Sequence, residues 1–181
     1  MNDNNMWTIA VAIILATMLL CNRKVRLTAL IKEQLCVFKN DKKKRMSPWD
    51  FICFLVFPLI LAIIMVFRLD FTIDDSLASL LTTVFSVVFT VLFGFAAIMI
   101  GKIDSKNELE QRVAEETFVS IVSSTILSLI AAILSIALTQ IDSTLCLQII
   151  TAVILMLSLI IIMLILMITK RTFFLYVEHK K

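Results

Sequence analysis

The chain has 181 residues, of which 60% are hydrophobic, and a mean hydropathy of +1.00. This composition excludes a soluble globular domain, and the length leaves no room for a second domain beside several apolar segments. The charges, 17 Lys and Arg against 14 Asp and Glu, give a net charge of +3 and are distributed unevenly along the chain.

Five long apolar runs divide the chain. They cover residues 7–21, 51–67, 77–100, 118–139 and 145–169. At about 1.5 Å per residue, the last four are long enough to cross about 30 Å of hydrocarbon. Because the chain has only two Gly and two Pro, and no short alternating segments of the kind that form barrels, the runs predict helices. We expect an all-α transmembrane helical bundle in a single membrane domain, residues 1–181.

The first run, residues 7–21, is shorter than a usual span. We expect five spans, with four spans and a short N-terminal helix as the alternative. A cleaved signal peptide is not expected, since Asn2–Asn5 provides no positive charge before the run.

The Lys and Arg residues predict the orientation of the bundle. Sixteen of the 17 lie in segment 22–50, in segment 101–117 or in the tail from Lys170, and the exception is Arg68. Because short cytoplasmic loops collect Lys and Arg, these three segments are predicted to be cytoplasmic, with the C-terminus inside and the N-terminus outside. The predicted outer side of the membrane carries five acidic residues, which are Asp3, Asp70, Asp74, Asp75 and Asp142.

The predicted cytoplasmic loop 22–50 is amphipathic and basic. Apolar residues between Val25 and Phe38 recur at intervals of three and four, which predicts an amphipathic helix, and four cations follow one another in Lys42–Arg45. We interpret the basic residues of the cytoplasmic segments as candidates for binding anionic lipid headgroups or a cytoplasmic protein partner. They are Arg23, Lys24, Arg26, Lys42, Lys43, Lys44, Arg45, Lys102, Lys106, Arg112, Lys170 and Arg171. Direct nucleic-acid binding is not expected, because few aromatic residues are interleaved.

Two features of the second run predict where its helix begins and where it bends. Ser47, Pro48 and Asp50 have the residue types of an N-cap, a first helical position and an acidic first turn. Pro58, in the middle of the run, removes one backbone hydrogen bond and predicts a kink.

Small residues recur in the third and fourth runs. They are Gly94, Ala97 and Gly101 in and after the third run, and Ser120, Ser124, Ser128 and Ser135 in the fourth. Because small residues let helices approach closely and hydroxyls bond between helices, we expect these positions to form a seam in the bundle or between copies. A polar pore lining is the rival interpretation, although Ser hydroxyls also bond to their own helix backbone.

The sequence lacks the residue patterns of coupled transport, metal binding and catalysis. The apolar runs contain no Asp, Glu, Lys, Arg or His, which argues against a coupled transporter. One His and four scattered Cys do not have the spacing of a zinc site, and no catalytic or phosphate-binding motif occurs. The carboxylates of Glu108, Glu110, Glu115 and Glu116 are interpreted as a solvated helical face with local ion pairs near Arg112. We expect neither an enzyme nor a cofactor or metal site.

The order of features from Ser47 to Tyr176 resembles the membrane subunits of the bacterial Kiwa anti-phage defence system. These features are Ser47-Pro48-Trp49, Phe57-Pro58, the Phe- and Gly-containing run from Phe85 to Gly94, the charged loop after it, and the exit from Lys170-Arg171 to Tyr176. The resemblance implies a homo-oligomeric protein of the bacterial inner membrane, described with four spans. It further implies a sensor of phage at the envelope that works with a cytoplasmic, DNA-binding partner.

Two functional hypotheses follow. The first is an oligomeric sensor and scaffold that recruits a cytoplasmic effector through its basic segments. The alternative is a pore-forming or holin-like effector that depolarises the cell, with the external Asp residues attracting cations to its mouth. We favour the scaffold, because the predicted spans are so apolar.

Overall fold

The computed structural model describes residues 34, 39–40, 45–46, 52–100, 108–141 and 143–178. A π-helical turn, Ile52–Val56, leads into α1 (Phe57–Arg68). Three longer helices follow, which are α2 (Asp75–Ile100), α3 (Glu108–Leu138) and α4 (Thr144–Glu178). Before them, two-residue strands β1 (Lys39–Asn40) and β2 (Arg45–Met46) pair antiparallel. The predicted all-helical class is confirmed for the bundle.

The prediction of five spans is not supported. Three helical segments are long and apolar enough to cross a membrane, namely Asp75–Ile100, Val113–Leu138 and Thr144–Phe173. The apolar helix Ile52–Arg68 is shorter, and it consists of the five-residue π turn followed by the 12 residues of α1. Residues 7–21 lie outside the described part of the chain.

Other predicted features of the first third of the chain also fall outside the described residues. The predicted amphipathic helix Val25–Phe38 is one of them, apart from Gln34, which is helical. The predicted helix start, residues 47–50, is another. Pro58, for which a kink in mid-span is predicted, is the second residue of α1, at its junction with the π turn. A proline cannot donate the N–H that a preceding helical turn would accept, and regular α-helical hydrogen bonding is interrupted at this junction.

The four helices pack in a row. α2 packs on α3, α3 packs on α4, and α4 packs on α1. The buried residues of α2 are Ala78, Phe85, Leu92 and Met99, which are seven residues apart. A repeat of seven keeps one face of a helix against its neighbour, as in coiled coils. Since α3 lies between α2 and α4, it is covered on two sides.

Two clusters of apolar residues form the core. One includes Phe85 of α2, Ala131 of α3 and Ile154 of α4, together with Ile73 from the turn that precedes α2. The other includes Met99, Ile121 and Ile168 at the opposite end of the bundle. Burying these side chains against one another gives α2, α3 and α4 a shared interior, while many other apolar side chains are exposed.

Two helices extend past the apolar runs that predict them. α3 begins at Glu108, well before Phe118, and α4 ends at Glu178, well after Thr169. The 35 residues of α4 have a length of roughly 50 Å, which exceeds the hydrocarbon thickness. The residues of the extensions include good helix formers such as Glu, Gln, Ala, Lys and Arg, so the helices continue where the apolar residues stop.

Candidate functional site

The predicted basic binding residues are described only in part. Arg45 belongs to β2 and Arg112 to α3. For these two residues the structure describes the backbone and not the side chain. Lys170 is exposed near the end of α4, and Arg171 is partly buried beside it. The other predicted basic residues lie outside the described residues, as does Gly101. They are Arg23, Lys24, Arg26, Lys42, Lys43, Lys44, Lys102 and Lys106.

Arg171 forms an ion pair with Glu116. Its Nη2 atom lies 3.2 Å from Oε2 of Glu116, and the two side chains are 21% and 33% exposed. The interpretation of Glu116 as part of a solvated face needs correction, because this carboxylate bonds across to a different helix and is half-buried. The packing of α3 against α4 brings the two residues together, and no spacing along the chain predicts it.

The predicted serine stripe of α3 lies inside the chain. Ser120, Ser124, Ser128 and Ser135 are each 0% exposed. Their hydroxyls donate to carbonyl oxygens three or four residues earlier in α3, as in the 2.7 Å bond from Ser124 to Ser120. The stripe therefore faces the neighbouring helices, and these hydroxyls do not line an open surface of the single chain.

A second stripe of small and hydroxyl residues lies on the exposed side of α2. Its members are spaced by three or four residues and are all exposed, and we call them the α2 stripe: Ser79, Thr83, Ser86, Thr90, Gly94 and Ala97. At 3.6 residues per turn they fall within an arc of about 80°. A Cβ atom built on Gly94 meets nothing within 4 Å, so the surface there is open. Two of the predicted seam residues, Gly94 and Ala97, belong to this stripe.

Three of the four hydroxyls of the α2 stripe are bonded to their own helix. Thr83 donates to the carbonyl oxygen of Ser79, Ser86 to that of Thr82 and Thr90 to that of Ser86, at 2.8–3.0 Å. Their donors are therefore satisfied, and their oxygen lone pairs remain available outward. The sequence prediction overlooked these four hydroxyl residues, although their spacing of three and four residues continues directly into Gly94 and Ala97.

Acidic residues surround the start of α2. Asp74 accepts hydrogen bonds from the backbone N–H of Leu77 and the hydroxyl of Ser76, both at 3.0 Å. These two bonds hold the pKa of the Asp74 carboxyl below its usual range. Asp70 and Asp75 are exposed nearby, whereas Asp142 lies outside the described residues. In the part of the chain that the structure describes, no three His, Cys, Asp or Glu side chains are grouped as a metal site.

Comparison of the chain with protein-family models, with curated proteins and with solved structures gives no match. The geometry therefore defines a class only, a helical bundle with three candidate membrane spans.

Proposed function

We propose that the chain is a homo-oligomeric scaffold and sensor subunit of an anti-phage defence complex in the bacterial inner membrane. It recruits and controls a cytoplasmic, DNA-binding effector protein. The α2 stripe is the observation that supports assembly of the chain into a homo-oligomer. The recruiting role rests on the concentration of Lys and Arg in three segments between or after the apolar runs, and the defence context rests on the resemblance to Kiwa membrane subunits.

The α2 stripe supports assembly through a second copy of the chain. α2 lies at one end of the row of helices, and its heptad-spaced residues already hold it against α3. Helix faces that contact lipid are usually covered by Leu, Ile and Val, whereas small residues are enriched where two membrane helices meet. A continuous exposed line of such residues along α2 therefore fits a neighbouring helix better than it fits lipid chains.

Substitution of the α2 stripe tests the assembly. Gly94→Leu fills the open position with a bulky side chain, and we expect the purified protein to lose its higher oligomer in native mass spectrometry. Val84→Leu is the matched control, because Val84 is 47% exposed on α2 outside the stripe. An unchanged mass distribution in Gly94→Leu, or an equal loss in Val84→Leu, contradicts assembly through the stripe.

Recruitment is tested by co-purification in mild detergent. The tagged chain is isolated from bacteria that express it from its native locus, beside a variant in which Lys42, Lys43, Lys44 and Arg45 are changed to Glu. We expect a stoichiometric cytoplasmic protein with the native chain and its loss from the variant, while both chains insert to the same level. Isolation of the native chain without any other protein contradicts the recruiting role.

A pore-forming effector is the second candidate function, and the hydroxyls of the α2 stripe favour it. In an oligomer built around α2, the outward oxygen atoms of Ser79, Thr83, Ser86 and Thr90 would line the axis, and Asp74 and Asp75 would lie at one mouth. Purified protein in liposomes tests this candidate. Cation flux from the protein alone, abolished by Ser86→Leu, supports a pore, and the absence of flux at high protein density contradicts it.

A further inference from the structure

The ends of α3 and α4 extend past their apolar sequence runs on the same side of the bundle. In α3 these are the residues before Phe118, of which Ala114 still belongs to the core cluster of Met99 and Ile168, and in α4 they are the residues after Thr169. The two helices are joined by the short connection 139–143 at their other ends, so they run antiparallel. The end of α3 is rich in charged residues, the end of α4 carries Lys170, Arg171 and Glu178, and both lie on the side that the charge pattern predicts to be cytoplasmic.

The first five residues of α4 after Ile168 contribute no buried side chain to the core. Ile168 is 5% exposed and belongs to a core cluster with Met99 and Ile121. Of the next five residues, Thr169 to Phe173, none is buried. Residues 169–173 therefore gain little from the hydrophobic effect, so a polar contact matters more for holding them against α3.

The ion pair between Arg171 and Glu116 is such a contact. It joins α4 to α3 three residues after Ile168, which is the last buried residue of α4 up to Phe173, with 3.2 Å between Nη2 and Oε2. The Nη1 atom of Arg171 is buried and has no acceptor among the described residues, so Glu116 is the described partner of this guanidinium. Charges that are half-removed from water attract each other more strongly than charges on an open surface, and either one is unfavourable there alone.

We propose that Glu116 and Arg171 form a latch that holds the projecting end of α4 against α3. With the latch closed, the direction in which α4 leaves the bundle is fixed. With the latch open, residues 169–173 of α4 separate from α3, because none of these five side chains is buried. This inference concerns the single chain and does not depend on the proposed function.

Spin-label distance measurements test the latch. The labels are placed through Gln111→Cys on α3 and Phe173→Cys on α4 in a full-length chain whose four native cysteines are changed to Ala, diluted with unlabelled chain. We expect a narrow distance distribution with the native pair. Glu116→Gln and Arg171→Gln should each broaden it and shift it to longer distances. Glu115→Gln is the matched control, because Glu115 is exposed next to Glu116, and it should leave the distribution unchanged.

A charge exchange separates the latch from a general effect on folding. The double variant Glu116→Arg with Arg171→Glu restores an ion pair with opposite polarity, whereas Glu116→Gln with Arg171→Gln removes both charges. We expect a narrow distribution in the first and a broad one in the second. The proposal is overturned if the two double variants have equal distance distributions. It is also overturned if the single variants have the same distance distribution as the native chain. The comparison of the double variants decides even if one single variant fails to insert.

Discussion

The carboxylate of Asp74 accepts a hydrogen bond from the backbone N–H of Leu77 across 3.0 Å, and so caps the N-terminus of α2. The carbonyl oxygen of Asp74 also accepts the N–H of Ala78, which begins the helical hydrogen bonding. An acidic residue at this position satisfies a free N–H and meets the positive end of the helix dipole. The turn that joins α1 to α2 is therefore defined by its own side chains.

Removal of this cap should destabilise α2. We expect Asp74→Ala to lower the thermal unfolding midpoint of the detergent-solubilised protein, and Asp74→Asn to retain most of the stability because Asn also caps helices. Differential scanning fluorimetry of the three proteins checks this. A midpoint for Asp74→Ala equal to that of the native chain would show that the cap is not needed.

The same cap should make stability depend on pH. Because the folded state lowers the pKa of Asp74, its contribution is complete above the pKa of an unpaired Asp, about 3.9, and is lost as the pH falls through the lowered value. We expect the stability difference between the native chain and Asp74→Asn to shrink as the pH falls through this acidic window. Unfolding midpoints measured from pH 6 downward test the sign, and a difference that grows on acidification contradicts it.

Asp70 has a backbone φ of 49°, in the left-handed region, at the end of α1. Glycine adopts this conformation without steric cost, while a β-branched side chain does not. We expect Asp70→Gly to be neutral or stabilising, and Asp70→Val to reduce the free energy of unfolding by about 1–2 kcal/mol. Unfolding in mixed micelles by increasing SDS measures both. A Val variant as stable as the Gly variant would indicate a different turn.

Ser124 is fully buried in α3 and donates its hydroxyl to the backbone of the same helix. Since no other helix needs this donor, we expect Ser124→Ala to change the free energy of unfolding by less than about 1 kcal/mol. Ser124→Leu should cost about 1–3 kcal/mol, because the added volume overpacks the interface.

Thr169 provides the control for this pair of substitutions. Its hydroxyl makes the same type of bond, to the carbonyl oxygen of Ile165, but the residue is exposed on α4. Thr169→Leu should therefore leave stability nearly unchanged in the same SDS titration. If Leu is tolerated equally at both positions, α3 is not closely approached by a neighbouring helix at Ser124.

Cys146 tests the orientation of the bundle. It is exposed in the first turn of α4, on the side predicted to be outside, whereas Cys21, Cys36 and Cys53 are predicted to lie in or beside the cytoplasm. In right-side-out vesicles a membrane-impermeant maleimide should label the native chain once, and Cys146→Ser should abolish the labelling. Labelling that persists in this variant, or that occurs only in inside-out vesicles, contradicts the predicted orientation.

Local sequence properties predicted the helices but not their ends. An apolar run longer than about 17 residues must satisfy its backbone hydrogen bonds internally, which favours a helix wherever it lies. The ends of α3 and α4 depend instead on the helix preference of the residues that adjoin the apolar runs, before Phe118 in α3 and after Thr169 in α4. The π turn before α1 shortens the α-helical part of the second run, a detail of backbone hydrogen bonding that apolarity does not encode.

The two stripes show what the sequence determined and what only the tertiary structure decided. Ser120 to Ser135 on α3 and Ser79 to Thr90 on α2 have similar residues at similar spacing, so the sequence identifies one small-residue face on each helix and goes no further. The structure buries the first stripe, because α3 has neighbours on two sides, and exposes the second, because α2 lies at the end of the row. Likewise, the charges of Glu116 and Arg171 can be read from the chain, but their pairing arises from the packing of α3 on α4.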